Sequence, residues 1–385
     1  MKIGINASFL RKPGTGIGNV TRDFLNELST RKSENHFILY LEEPLPKKMR
    51  LPKNFETRVF LPFWKRDDLI RKIWWEKRLL PKMAERDQCD LFFSPYQCPT
   101  VMPQNIPHIM LVHDLIPRLF PEYLNNSRKK KYQRLTEKAI READRLIANS
   151  KRTEKDIIRE LGVSGEKISV NYIDTNPIFN KFPVKEKLSR VLRKYRLKPG
   201  YILGGMGLEK RKNLTGLLKS YQELLERNRV EKFLPEIPKL AIAGKLMPRL
   251  APLITDIEKL VRDLGLSKNV KLLGFVPEED APTLYREAAL FVFPSFYEGF
   301  GLPVLEAMKQ GTPVIASKTS SLPEVGGDGI LYCDPEDTSE ISRVMKKILT
   351  NPKLRESLKR KGQEKSKLFS WKKFVDKFLE IASQI

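Results

Sequence analysis

The chain has 385 residues, and because single hydrophobic cores stop growing near roughly 250 to 300 residues, two domains are expected. Its 41% hydrophobic and 31% charged residues, without a low-complexity tract, exclude a fibrous or disordered chain, and no run approaches the ~18 to 20 apolar residues of a membrane span. Lys and Arg number 71 against 47 Asp and Glu, a net charge of +24, with the excess concentrated in residues 1–200 (41 basic, 23 acidic, against 30 and 24 in the remainder). That asymmetry suggests an anionic partner: a membrane surface, a phosphorylated acceptor or nucleic acid. General solubility or adaptation to heat is the plainer account.

In chain order, MKIGINASF reads as a buried strand without the apolar core of a signal peptide, so a cytoplasmic protein is expected. Short apolar runs then alternate with helical patterns: FILY at 37–40, LFF at 91–93, IMLV at 109–112 and RLIA at 145–148. The alternation restarts after a basic, poorly periodic stretch, with YILGG, KLAIAG at 239–244, VKLLG at 270–274, LFVFP at 290–294 and PVIAS at 313–317. Such alternation specifies parallel sheets covered by helices on both faces, hence an α/β fold of two doubly wound domains. We expect a first domain over residues 1–183, a linker over 184–199, a second domain over 200–365, and a helix over 366–385 packing back on the first. Trp371, Phe374, Val375 and Phe378 give that last helix an apolar stripe. Cys89, Cys98 and Cys333 form no CxxC pair and are expected as reduced packing residues.

Ligands of doubly wound sheets bind beyond the carboxyl ends of the strands, so function should map to loops that follow strands. The most informative of these is Phe293–Glu306, where a strand end runs through a glycine-bearing loop into a helix from about Pro303. Backbone N–H groups at a helix start have no intrahelical partner and the macrodipole is positive there, which makes an anion site. Gly299 and Gly301 would let a ligand approach the backbone. Glu298 and Glu306 carry carboxylates suited to vicinal hydroxyls, because each oxygen accepts independently. Glu306 could equally serve only the positive end of its helix. Lys210, Arg211 and Lys212 follow the YILGG strand and read either as cations for a phosphate or as a solvated run. Gly14, Gly16 and Gly18 follow the first strand and precede a helix, the context in which a glycine loop means phosphate. His113 and Asp114 directly follow IMLV at the same edge, with Asp114 placed to orient the loop or the imidazole. There is no DxD pair to hold a metal on a sugar nucleotide and no GxSxG elbow.

The segment EGFGLPVLEAMKQGTPVIAS, with its E-x7-E spacing, resembles family 4 glycosyltransferases of the GT-B fold. Further similarity covers nearly the whole chain: GTGIGNVT, LVHDLIP, RLIANSKRT, GLEKRKNL, LAIAGK, VKLLGFVPEEDAPTLYREAALFVFPS, TSSLPEV and FSW. The resemblance implies retaining transfer from a nucleotide sugar, without a metal or other cofactor, in a cleft between two Rossmann-like domains. It places Glu298 and His113 on the donor sugar, Arg211 and Lys212 on the diphosphate with Gly16 beside it, and Glu306 on the ribose. Gly299, Phe300, Gly301 and Leu302 would complete the donor loop, and Gly274 with Val276 the base pocket. Many relatives carry an arginine five residues before the lysine, where this chain has Gly207. Arg211 is therefore expected to bear more of the phosphate.

GDP-mannose is the first expectation for the donor, because GLEKRKN and SSLPEV resemble mannosyltransferases, and a UDP-sugar is the alternative. The acceptor is expected to be lipid-linked or a polysaccharide. A rival of another class is a non-catalytic binder of sugar nucleotides or anionic polymers. No recognised nucleic-acid motif is present. Two basic segments with aromatics, Trp64–Lys82 and Arg128–Arg134, would suit an anionic membrane surface, giving a peripheral protein on the inner face of the membrane. In the first, Leu69, Ile70, Ile73, Trp74 and Leu80 share an apolar side at helical spacing and Trp75 points elsewhere; a core-packed helix fits equally.

Overall fold

The computed structural model describes residues 1–46, 49–60, 69–245 and 253–385. The chain divides into two compact units, Met1–Asp174 with Phe369–Ile385, and Thr175–Leu368. In the first, β1 (Lys2–Asn6), β2 (His36–Leu41), β3 (Phe55–Val59), β4 (Leu91–Ser94), β5 (His108–Val112), β6 (Arg145–Ala148) and β7 (Ile168–Val170) form one sheet in the order β3-β2-β1-β4-β5-β6-β7. In the second, β8 (Tyr201–Gly205), β9 (Leu240–Ala243), β10 (Val270–Gly274), β11 (Ala288–Phe293), β12 (Val314–Ser317) and β13 (Leu331–Cys333) form the order β10-β9-β8-β11-β12-β13. Every pairing is parallel. Both orders reverse direction once, between β1 and β4 and between β8 and β11, and that switch point is where doubly wound sheets open a crevice.

The central strands are buried on both faces, as parallel strands under helical layers must be. The edge strand β3 alternates buried and exposed residues, so it shows no apolar run in the sequence. All three cysteines are buried and unpaired with one another. Among the described residues no helix is long and apolar enough to cross a membrane.

Two expectations are corrected. Residues 184–199, read as a linker, contain the helix Lys185–Tyr195, whose Val191, Leu192 and Tyr195 are buried. Lys194 Nζ and Tyr195 Oη contact Asp280 Oδ2 at 2.5 and 3.1 Å, so this helix belongs to the second unit and the crossing lies at Asp174–Thr175. Its basic residues, on the exposed side, hid the stripe. The second correction concerns Trp64–Lys82, of which Trp64 lies outside the described residues. Trp75 and Leu80 are fully buried, whereas Ile70 and Trp74 are 52% and 39% exposed. The inward face carries Arg71 and Glu76, which ordinary patterning assigns to solvent; Arg71 pairs with the buried Glu42. A π-helical turn over Trp75–Leu79 then shifts the phase, because each such turn holds an extra residue.

The helix Trp371–Ser383 returns to the first unit and packs on the helix Gly16–Leu28. Phe378 is fully buried, with its ring centroid 5.2 Å from Phe24 and 4.4 Å from Phe93, and Asn171 Nδ2 donates to the Phe374 carbonyl at 2.9 Å. Removing a buried phenylalanine ring costs about 3–5 kcal/mol. Phe378→Ala is expected to destabilise the first unit by that order, read as a lower urea midpoint; an unchanged midpoint would show that the first unit does not depend on this helix.

Candidate active site

In the second unit the site residues stand on the two loops that flank the switch point. After β8 the chain passes Met206–Glu209 into the single 3-10 turn Lys210–Lys212, and Asn213 (φ 55°) then caps the helix Leu214–Glu231, its side chain accepting from Gly216 N–H at 3.0 Å. After β11 it passes Pro294–Gly301 into the helix Leu302–Lys309, which no side chain caps. Gly301 has φ 110°, and a Cβ there would meet Leu322 at 2.7 Å, so only glycine makes this entry.

The loops are joined by charge. Arg211 Nη1 lies 2.6 Å from Glu298 Oε1 and donates to the Tyr297 carbonyl at 2.9 Å, while Phe296 N–H donates to the Arg211 carbonyl at 2.7 Å. Ser295 Oγ stands 3.0 Å from both Glu298 Oε1 and the Arg211 carbonyl and 3.2 Å from the Tyr297 carbonyl, so its single proton is divided among the three. Glu298 N–H donates to Ser320 Oγ at 3.0 Å, and Ser321 Oγ lies 2.9 and 2.7 Å from the carbonyls of Glu298 and Phe300, which share its one proton. Glu298 and Phe300 are thereby buried and fixed. Arg211, expected to face phosphate, is turned to Glu298 here.

Lys212 is 8% exposed; its Nζ donates to the Met206 carbonyl at 2.6 Å and lies 3.7 Å from Glu209 Oε2. Gly207 adopts φ 136°, and a Cβ at that position would stand 2.5 Å from Lys212 Nζ. At the position where relatives were expected to carry arginine, a side chain would therefore be strained by the positive φ and would have to displace the ends of Lys212 and Glu209. Glu306, on the helix Leu302–Lys309, accepts from Tyr285 Oη at 2.9 Å. Burial pushes its carboxyl up to about 7, with Glu278 pushing the same way and Tyr285, Lys212 and Lys309 opposing. Leu302 opens that helix, Gly299 precedes it, and Gly274 ends β10, two strands away from β8, with Val276 just beyond it.

In the first unit, Gly16 begins the helix Gly16–Leu28, and a Cβ on it would meet no atom within 4 Å. His113 follows β5 and is buried, its Nε2 2.9 Å from the Pro95 carbonyl. Since that carbonyl can only accept, Nε2 carries the proton. Burial lowers the His113 pKa to about 4, with the Pro95 contact opposing, so the ring is neutral near pH 7. Asp114 Oδ1 accepts from Ile116 N–H at 2.9 Å and so orders the loop.

Tyr285, Ser295, Ser320 and Gln97 were not singled out from sequence. Tyr285 and Ser320 fall within two segments of the family resemblance, VKLLGFVPEEDAPTLYREAALFVFPS and TSSLPEV, but nothing local marked the tyrosine or the serines as partners of Glu306 and Glu298. Among the described residues no group of three or more His, Cys, Asp or Glu is gathered as a metal ion would require.

The family model described as glycosyl transferases group 1 matches residues 194–365, and that of glycosyltransferase family 4 matches residues 14–173. The chain is 30% identical over 393 residues to the O-antigen chain mannosyltransferase B of Escherichia coli, covering 96% of each. Among solved structures it is similar to sucrose-phosphate synthase from Thermosynechococcus elongatus, with TM-score 0.77 and 18% identity over 100% of this chain and 98% of that one. It is also similar to Anabaena HepE in complex with UDP and glucose, with TM-score 0.72 and 18% identity over 100% of both chains. At such identities these two carry the fold, GT-B, and no more. The near-full-length match to the mannosyltransferase carries the family: the chain belongs to the family 4 glycosyltransferases of group 1 and is a glycosyltransferase.

Proposed function

We propose that the chain transfers mannose from GDP-mannose, with retention and without a metal, to a saccharide or lipid-linked acceptor in polysaccharide synthesis. The observation that carries this reading is the Arg211–Glu298 pair at the switch point of the second unit, with Lys212 and Glu306 beside it. In the reaction the bond from the anomeric carbon to the diphosphate oxygen breaks, the acceptor oxygen takes that carbon and gives up its proton to the departing phosphate oxygen, and negative charge grows on the nucleoside diphosphate as the bond breaks. Lys212, already held by the Met206 carbonyl, and the uncapped start of the helix Leu302–Lys309 offer positive charge there without reorganisation, which is how such groups lower a barrier. Glu298 accepts from the sugar hydroxyls, with Arg211 fixing its orientation, and Glu306 accepts from the ribose. Neutral His113, whose Nε2–H is engaged by the Pro95 carbonyl, would accept from a sugar hydroxyl through Nδ1 rather than supply a charge. Mannose is supported by the printed name of the Escherichia coli relative.

Lys212→Ala and Glu306→Ala are each expected to lower turnover by about 10²–10³, the scale of losing one preorganised transition-state contact, while both variants stay folded. Glu298→Gln should reduce turnover more than nucleoside diphosphate affinity, and wild-type activity should survive EDTA. Full activity in either alanine variant would remove that residue from the site; loss with EDTA that magnesium or manganese reverses would overturn the metal-free reading.

The raised Glu306 carboxyl gives a pH signature. Below about 7 the group holds its proton and loses acceptor capacity, so nucleoside diphosphate affinity should rise from about pH 6 to pH 8 and then level. Glu306→Gln should flatten the rise. GDP should raise the melting temperature more than UDP, because a ligand of the native state stabilises it in proportion to its affinity; the reverse order would assign a UDP-sugar.

The reading extends to a peripheral location on the cytoplasmic face. Ile70 and Trp74 are exposed beside exposed Lys77 and Arg78, on a helix that contacts the basic helix Ser127–Glu142 with exposed Arg128, Lys130 and Lys131. An apolar pair ringed by cations suits an anionic leaflet, each cation adding about 1 kcal/mol. Cosedimentation with anionic vesicles is expected at low salt, to weaken at high salt, and to fall in a Lys130→Gln, Lys131→Gln variant. Equal binding to neutral vesicles would refute it.

A further inference from the structure

The first unit holds a cavity of about 330 Å³ that the donor reading leaves unused. Its walls come from Ile17 after β1, Tyr96 and Gln97 after β4, Asp114 after β5, and Lys72 and Tyr132 on two helices. It therefore stands at the carboxyl edge of the sheet, at the switch point between β1 and β4. Gln97 ties it to the histidine loop, since Oε1 accepts from His113 N–H and Nε2 donates to the Asp114 carbonyl, both at 3.1 Å.

Behind the wall lies Glu76, fully buried, whose carboxylate accepts from Tyr96 Oη at 2.7 Å and Tyr132 Oη at 2.9 Å. Lys72 Nζ is 3.7 Å from that carboxylate, and the ring centroids of Phe9, Tyr132 and Tyr96 surround it at 4.7, 4.7 and 5.4 Å. Ring faces and a carboxylate at that distance balance the charge of an ammonium but accept none of its three N–H bonds at hydrogen-bonding range. Lys72 therefore presents donors to the cavity that no described residue uses.

We propose that this cavity seats a neutral sugar ring of the acceptor and that Lys72 is a specificity-determining residue, donating to the ring's hydroxyl oxygens. The inference rests on the transferase reading and deepens it. Tyrosine faces suit the C–H surface of a sugar, while Gln97, Asp114 and Lys72 suit its hydroxyls. An alkyl chain would suit the apolar part of the wall, Leu115, Leu124 and Ile140 among it, but would desolvate Lys72, Gln97 and Asp114 without replacing their hydrogen bonds. An anion would meet Lys129 as well as Lys72, but would also face Asp114 and the buried Glu76. The volume lies at the low end of small-ligand pockets, about 300–1,000 Å³, which fits a sugar residue rather than a long polymer segment.

The test uses methyl α-mannoside as acceptor, with GDP-mannose as donor, and mannose 6-phosphate as the charged comparison. Lys72→Met should raise the acceptor KM at least about tenfold, the worth of a charge-assisted hydrogen bond, with kcat and the thermal shift by GDP nearly unchanged. Lys72→Met combined with Glu76→Gln removes both charges, so that no buried carboxylate is left unpaired, and should show the same KM effect in a folded protein. An acceptor KM unchanged in both variants would overturn the proposal. So would tighter use of mannose 6-phosphate that weakens with salt, which would make the cavity an anion site. Absence of any nucleoside diphosphate shift in the wild type would instead refute the transferase reading beneath it.

Discussion

The Arg211–Glu298 ion pair is the constraint on which the candidate site depends. It spans the two loops that diverge at the switch point, one leaving β8 and the other β11, and it is largely shielded from solvent. A shielded pair recovers its desolvation cost only with further hydrogen bonds, and here Ser295 Oγ at the carboxylate and the Tyr297 carbonyl at the guanidinium provide them. Removing one partner would leave a charge stranded in low dielectric. The same contacts that stabilise the loop therefore fix the carboxylate, so position and stability are not separable at Glu298. Ser320 supports the pair from a left-handed conformation, φ 55°, which a serine holds only when its surroundings over-determine it.

The first unit solves a related problem differently. Glu42 and Glu76 are both buried, one against Arg11 and Arg71, the other against two tyrosine hydroxyls with Lys72 nearby. Of these groups Arg71 and Glu76 lie on the inward face of a helix whose outward face shows Ile70 and Trp74. The inversion places polar, hydrogen-bonding groups around a cavity at the sheet edge and leaves apolar groups at the surface.

How legible this was from sequence follows from where each signal resides. Central strands such as LFF and IMLV are buried on both faces and therefore appear as continuous apolar runs; β3, β7 and β13 are short and partly exposed, and produce no such run. The loop and helix start that carry Glu298 and Glu306 were legible because a strand, a glycine loop and a helix start are local features. Tyr285 and Ser320 were not, because their roles come from contacts across 21 and 22 residues of chain. Trp75 was misplaced because charge was counted as outward, and Arg71 and Glu76 are inward only by virtue of partners far away in sequence. The helix Lys185–Tyr195 was read as a linker for the same reason in reverse, its basic surface outweighing three buried residues.

Gly207 shows how a departure from a family pattern becomes physical. Without a Cβ, it allows the Lys212 stem to fold over it and reach the Met206 carbonyl, and any side chain at 207 would occupy the space that the ammonium fills. Lys212 is held by its own loop, at 8% exposure, through the Met206 carbonyl. Its neighbour Arg211 turns the other way and pairs with Glu298. The two adjacent cations thus have separate partners: Lys212 the Met206 carbonyl, and Arg211 the Glu298 carboxylate and the Tyr297 carbonyl.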